Sequence, residues 1–198
     1  PLRGEYIALI ATAALSPEAT TLAFDIGTGT GVIAAVLAKR GIQKIVATDI
    51  EPRAIKCAQD NLARLGFGQQ IEVVAANLFP PGRAALIVCN PPWLPTPASA
   101  TIERAVYDPD SAMLRAFLSG LSSHLTPGGE GWLVLSDLAE HLGLRSREEL
   151  MAWVAESGLQ VLDRHDAHPT HPKSADPSDP LFVARSKEVT SLWRLSPV

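Results

Sequence analysis

Apolar runs rich in β-branched residues alternate along nearly the whole chain with stretches whose apolar positions recur at helical spacing. The runs predict seven strands, near Thr21–Ile26, Lys44–Ile50, Ile71–Leu78, Ala85–Asn90, Gly131–Asp137, Gln160–Arg164 and Thr190–Leu195. Gly31–Lys39, Pro52–Leu65, Asp108–Leu125 and Ser146–Ser157 read as helices. In the second, Pro52 stands in the first turn, Ile55, Ala58, Leu62 and Leu65 share one stripe, and Gly66 closes it. In the last, Leu150, Trp153 and Val154 face inward. Such alternation means parallel strands joined by right-handed crossovers, hence an α/β fold with one open, mostly parallel sheet and helices on both faces.

The C-terminal part departs from this pattern. Asp166 to Asp179 is polar and carries His168-Pro169, His171-Pro172 and Asp176-Pro177, so it reads as a loop. Too little helix follows for a crossover, and the last strand is expected to pair antiparallel. His165, His168 and His171 invite a metal reading, but Pro169 and Pro172 break any helix that would align them, so a solvated loop without metal is expected.

Composition narrows the picture. The 198 residues, 46% apolar and 19% charged, suit one soluble globular domain over residues 1–198. A net charge of −4 gives no global field toward phosphate backbones or anionic lipid. The longest mostly apolar stretch, Tyr6–Leu15, is about half of the roughly 20 residues that a membrane span needs. Cys57 and Cys89 lie in apolar patterns without metal or redox spacing, so a cytoplasmic location and no membrane partner are expected. The first residue is Pro1, which leaves an additional N-terminal domain open.

The first strand runs into Phe24-Asp25-Ile26-Gly27-Thr28-Gly29-Thr30-Gly31-Val32, a glycine-rich turn opening a helix. Glycines serve where backbone turns with positive φ and a ligand approaches the main chain. Asp49 ends the second strand, where a carboxylate accepts two hydrogen bonds from ribose hydroxyls. Loop and acid together point to an adenosine-containing cofactor. A dinucleotide fingerprint wants a third glycine where this chain has Val32.

The fourth strand delivers Asn90-Pro91-Pro92-Trp93 to the same sheet edge. Two prolines cannot continue a central strand. The Asn90 amide oxygen and the Pro91 carbonyl are two acceptors suited to one planar NH₂ group held by both hydrogens. Trp93 offers a ring to cover the planar face of an amide or base. Holding NH₂ in this way localises the nitrogen lone pair along one line, which suits in-line displacement on a methyl sulfonium.

These motifs, in this order, resemble the class I S-adenosylmethionine-dependent amino-methyltransferases, and most closely the HemK-type glutamine methyltransferases of release factors and the small-domain rRNA methyltransferases. The resemblance implies a Rossmann-like seven-stranded sheet, S-adenosyl-L-methionine as cofactor and S-adenosyl-L-homocysteine as product. It implies that Asp25, Gly27, Thr28, Gly29, Thr30 and Gly31 line the methionine and ribose portions, Asp49 and Ile50 the ribose side, and Asn77 with Leu78 the adenine. Asn90, Pro91, Pro92 and Trp93 would hold the target amine. The chain departs from the family at Asn77, usually Asp, and at Trp93, more often Tyr or Phe.

The expected reaction is methyl transfer to a planar nitrogen, on a protein glutamine amide or an RNA or DNA base amine. The negative charge tilts the choice to protein. An NAD-dependent oxidoreductase and a cofactor-binding module without turnover are the rival readings. Leu94–Ala112, with Pro95, Pro97, Glu103, Arg104, Tyr107 and Asp108, is a candidate substrate loop. Arg164, Lys173, Arg185 and Lys187 form a modest basic group near the C-terminus.

Overall fold

The computed structural model describes residues 4–95, 108–169, 176, 178–179 and 181–198. Its strands are β1 (Leu22–Ile26), β2 (Lys44–Asp49), β3 (Ile71–Ala75), β4 (Ala84–Cys89), β5 (Leu125–Ser136), β6 (Leu159–Ala167) and β7 (Thr190–Pro197). Its helices are α1 (Glu5–Thr12), α2 (Val32–Lys39), α3 (Pro52–Arg64), α4 (Ala112–His124), α5 (Leu138–His141), α6 (Arg147–Glu156) and α7 (Phe182–Arg185). The strands form one sheet in the order β3-β2-β1-β4-β5-β7-β6. β7 alone is reversed, pairing antiparallel with both β5 and β6. The chain turns back across the sheet between β1 and β4, and this reversal opens a crevice at their carboxyl ends.

Side-chain alternation along the strands splits the core in two. Ala23, Ile45, Leu86, Val88, Trp132 and Leu192 face α1 and α2. Phe24, Ile26, Ile87, Cys89, Leu133 and Trp193 face α4 and α6, where Phe117, Leu121, Leu150 and Val154 meet them. Burial on both faces explains why the central strands read as continuous apolar runs.

Several boundaries differ from the sequence reading. Tyr6–Leu15, assigned no element there, contains α1: Ile10 is fully buried, and Arg40 donates to the carbonyls of Ile10 and Ala13 at the helix end. β5 starts at Leu125 instead of Gly131, taking in Thr126–Gly129 through a register shift against Ala84 and Leu86. β3 stops at Ala75, short of Leu78. β6 extends to Ala167, so His165 and Asp166 are strand residues paired with Leu192 and Ser191. The β7 ladder recruits these polar residues by supplying backbone partners, which side-chain pattern alone does not reveal. His171 lies outside the described residues. On α3, Ala58 and Leu62 are buried, but Leu65 and Cys57 are exposed.

Candidate active site

The glycine loop leaves β1 with Gly27, Gly29 and Gly31 all at positive φ, +67°, +56° and +82°. The first and last are also closely packed. A Cβ on Gly27 would lie 2.7 Å from Met113 Cε of α4, and one on Gly31 would lie 3.2 Å from Leu62 Cγ of α3. A Cβ on Gly29 would meet nothing within 4 Å, so there the backbone faces open space.

Two carboxylates brace this loop. Asp25 is fully buried, and its Oδ2 accepts from Thr28 Oγ1 at 2.6 Å and from the Ala34 amide at 3.0 Å. Burial pushes its pKa up to about 6 against the lowering effect of those two hydrogen bonds. Its Oδ1 is sealed from solvent without a partner among the described residues, an uncommon condition for a carboxylate oxygen. Tyr6 of α1 is close enough that Asp25 and Glu5, after burial, raise its pKa. Asp49 is half-buried at the end of β2; Oδ2 accepts from the Gly29 amide and Oδ1 from the Glu51 amide, both at 2.9 Å. A carboxylate has about four acceptor positions, so lone pairs remain on both oxygens.

Ile50 beside Asp49 is 70% exposed. Thr30 is exposed, and its carbonyl is taken by Asn61 of α3 at 3.0 Å. Across the crevice, Asn77 is exposed and Leu78 adopts φ +70°, an uncommon value for a branched residue. The Leu78 carbonyl accepts from Thr48 Oγ1 at 2.6 Å. Phe79 pins the segment by stacking on His124 and Phe117 of α4, with centroids 4.2 and 5.8 Å away.

At the end of β4, Pro91 is buried and Asn90, Pro92 and Trp93 are half-buried. Trp93 Nε1 donates to Asn90 Oδ1 at 2.9 Å, and its ring packs against both core clusters. Leu94 is buried with Leu138, Ala139 and Ala184. The Leu94 carbonyl accepts from the Asp108 amide at 2.8 Å. Asp108, expected on a substrate loop, is instead buried, its carboxylate taking the Met113 and Leu114 amides at 2.8 and 3.1 Å. It is a side-chain anchor for the start of α4, because that helix end leaves amides that need acceptors. Through Asp108 and Met113 the Asn90–Trp93 segment is tied to Gly27. Pro97, Glu103, Arg104 and Tyr107 lie outside the described residues.

The structure thus brings Asp25, the glycine loop, Asp49, Ile50, Asn77, Leu78 and Asn90–Trp93 to one sheet edge. The roles of Met113 and Asp108 were missed; an acid shortly before a helix is the signal that marks Asp108. Of the basic group near the C-terminus, the two arginines have acidic partners. Arg164 is bonded to Asp166 at 2.7 Å, Arg185 lies 3.4 Å from Asp179, and Lys173 is outside the described residues.

A seven-stranded sheet with β7 alone reversed, and a glycine loop at the point where strand order turns back, define a methyltransferase-type domain. Residues 8–150 match the family model described as "Methyltransferase small domain", and the chain belongs to that family. It is 36% identical over 141 residues to a release factor glutamine methyltransferase of Cereibacter sphaeroides, a match covering 64% of this chain and 50% of the relative. It is 30% identical over 152 residues to a tRNA1(Val) (adenine(37)-N6)-methyltransferase of Bacteroides fragilis, covering 68% of this chain and 63% of the relative. The chain spans about half the length of the curated relatives it matches. A geranyl diphosphate methyltransferase in complex with SAM shares the fold at a TM-score of 0.71 and 14% identity, covering 98% of this chain and 85% of the other. Among the described residues no helix is long and apolar enough to cross a membrane.

Proposed function

We propose that this chain transfers the methyl group of S-adenosyl-L-methionine to a planar nitrogen, with a protein glutamine amide as the favoured acceptor. The observation that carries the reading is Asn90-Pro91-Pro92-Trp93 at the same sheet edge as the glycine loop and Asp49. The named activities of the relatives, glutamine and adenine-N6 methylation, both act on nitrogen conjugated to a planar system.

The residues fit the cofactor. Asp25 Oδ1 is a buried acceptor in need of a donor, matched by a methionine ammonium. A cation there holds Asp25 ionised despite its burial. Asp49 has lone pairs for the two ribose hydroxyls, and Gly29 leaves room for close approach. Ile50, Asn77 and Leu78 flank the adenine, with Ile50 as the apolar wall. When bound, S-adenosyl-L-methionine supplies a methyl group on a sulfonium, whose carbon–sulfur pair stays with sulfur as S-adenosyl-L-homocysteine is formed.

Asn90 Oδ1 and the Pro91 carbonyl accept the two hydrogens of the acceptor NH₂, turning its lone pair out of conjugation and toward the methyl carbon. Nitrogen loses one proton to solvent after the new N–C bond forms. The contribution is orientation, worth up to roughly 7–11 kcal/mol in favourable cases. Calorimetry with S-adenosyl-L-methionine, S-adenosyl-L-homocysteine and NAD, with Asp49→Ala as control, tests the reading. Binding of both sulfur ligands, lost in the variant, supports it; binding of NAD alone overturns it.

A further inference from the structure

We propose that the groove between α5 and α7 docks a short segment of the acceptor protein, receiving an apolar side chain that neighbours an acidic residue. The inference rests on the methyl-transfer reading and narrows its acceptor to protein.

Topology brings the groove to the active edge. α5 leaves the carboxyl end of β5, and because β7 is reversed, α7 leads into the end of β7 at that same edge. The two turns are knitted together: Ser136 Oγ donates to Glu188, the Asp137 amide donates to the Val189 carbonyl at 3.0 Å, and the Val189 amide donates to Asp137 Oδ1 at 2.7 Å. These bonds hold the start of α5 to the turn that follows α7. The groove's floor is continuous with the acceptor motif, because Ala184 and Leu142 pack in the same apolar cluster as Leu94, the residue after Trp93.

The chemistry selects the occupant. The groove has a volume of about 230 Å³, enough for one large aliphatic or aromatic side chain, and Leu142, Leu181 and Val183 line it. Val183 is 70% exposed, so its side chain is open to an incoming apolar group. Lys187 and His141 stand on the rim. His141 faces Asp137 at 3.4 Å, whereas Lys187 is exposed and has no ion pair among the described residues. Lys187 supplies the complement to one acidic side chain. Single-stranded nucleic acid is recognised by aromatic platforms and a run of cations. Of the described lining residues, Leu142, Leu181, Val183 and Ala184 are aliphatic, the one ring is the His141 imidazole beside Asp137, and Lys187 is the one Lys or Arg, which is neither a set of platforms nor a run of cations.

The test uses labelled methyl transfer from S-adenosyl-L-methionine onto separated protein and RNA fractions of the source cells, with the whole chain and the variants Val183→Asp, Lys187→Glu and Leu65→Gln. Leu65 is exposed at the C-terminal end of α3, does not line the groove, and serves as control. The expected result is protein labelling by the unaltered chain, a fall of about ten-fold or more in both groove variants with cofactor affinity within about two-fold, and full labelling by Leu65→Gln. Equal protein labelling by all variants overturns the groove while leaving methyl transfer to protein intact. Labelling of RNA instead of protein overturns the groove's occupant but not methyl transfer. Cofactor binding without labelling of either fraction overturns the proposed function and the groove with it.

Discussion

The indole N–H of Trp93 is bonded to the side-chain oxygen of Asn90 at 2.9 Å, three residues away across two prolines. An indole only donates, so the bond fixes which end of the Asn90 carboxamide is oxygen and leaves one lone pair of that oxygen for an acceptor NH₂. Trp93→Phe keeps a ring and removes the donor, freeing the carboxamide to turn over. We expect the single-turnover rate of methyl transfer to fall about ten-fold, equivalent to about 1.4 kcal/mol, with unchanged cofactor affinity. An unaltered rate would show that the bond does not orient Asn90.

Asn90→Ala removes the acceptor altogether. The expectation is loss of methyl transfer with little change in cofactor dissociation constant, read by turnover and calorimetry on the same preparation. Equal losses in both would assign Asn90 to cofactor binding instead of positioning.

Asp25 gives a pH signature. Its pKa is raised from 3.8 to about 6 in the folded chain, so below pH 4 it is protonated in both states and between pH 4 and 6 only the folded state keeps the proton. Stability of the ligand-free protein therefore falls as pH rises through that window, by up to about 3 kcal/mol from this group. Asp25→Asn removes that slope in urea titrations at stepped pH. Cofactor affinity has the opposite dependence, because the ammonium wants the ionised carboxylate: it rises with pH through about 6 in the unaltered chain and is weak and flat in Asp25→Asn.

Asp108→Ala strips the two acceptors from the start of α4. Loss of such a cap costs about 1–2 kcal/mol, visible as a lowered urea midpoint at unchanged slope. Because Met113 abuts Gly27, cofactor affinity falls as well. Asp110→Asn, two residues further on, at a positive φ that Asn tolerates and not bonded to these amides, is the control.

Much of the sheet was legible because its central strands are buried on both faces and flanked by glycine or proline stops; β1, β2 and β4 lie within one or two residues of expectation. The two local motifs, Asp25 to Gly31 and Asn90 to Trp93, lie at the carboxyl ends of β1 and β4, where the strand pattern puts them. What stayed hidden depends on partners distant in sequence. His165 and Asp166 look like loop residues until Leu192 and Ser191 pair with them. α1 shows only an apolar stretch, and its helical end is fastened by Arg40. Leu78 takes a left-handed φ that no side-chain pattern announces, with its carbonyl bonded to Thr48 of β2.

The reversal of β7 divides labour along the chain. In the proposed assignment every residue offered to the cofactor lies between Asp25 and Asn90, while the α5–α7 groove is built from residues beyond β5. On that assignment, substitutions in the second stretch are expected to exchange one acceptor for another without disturbing the donor pocket. A single donor module can in this way serve different clients, with recruitment written in the last third of the sequence.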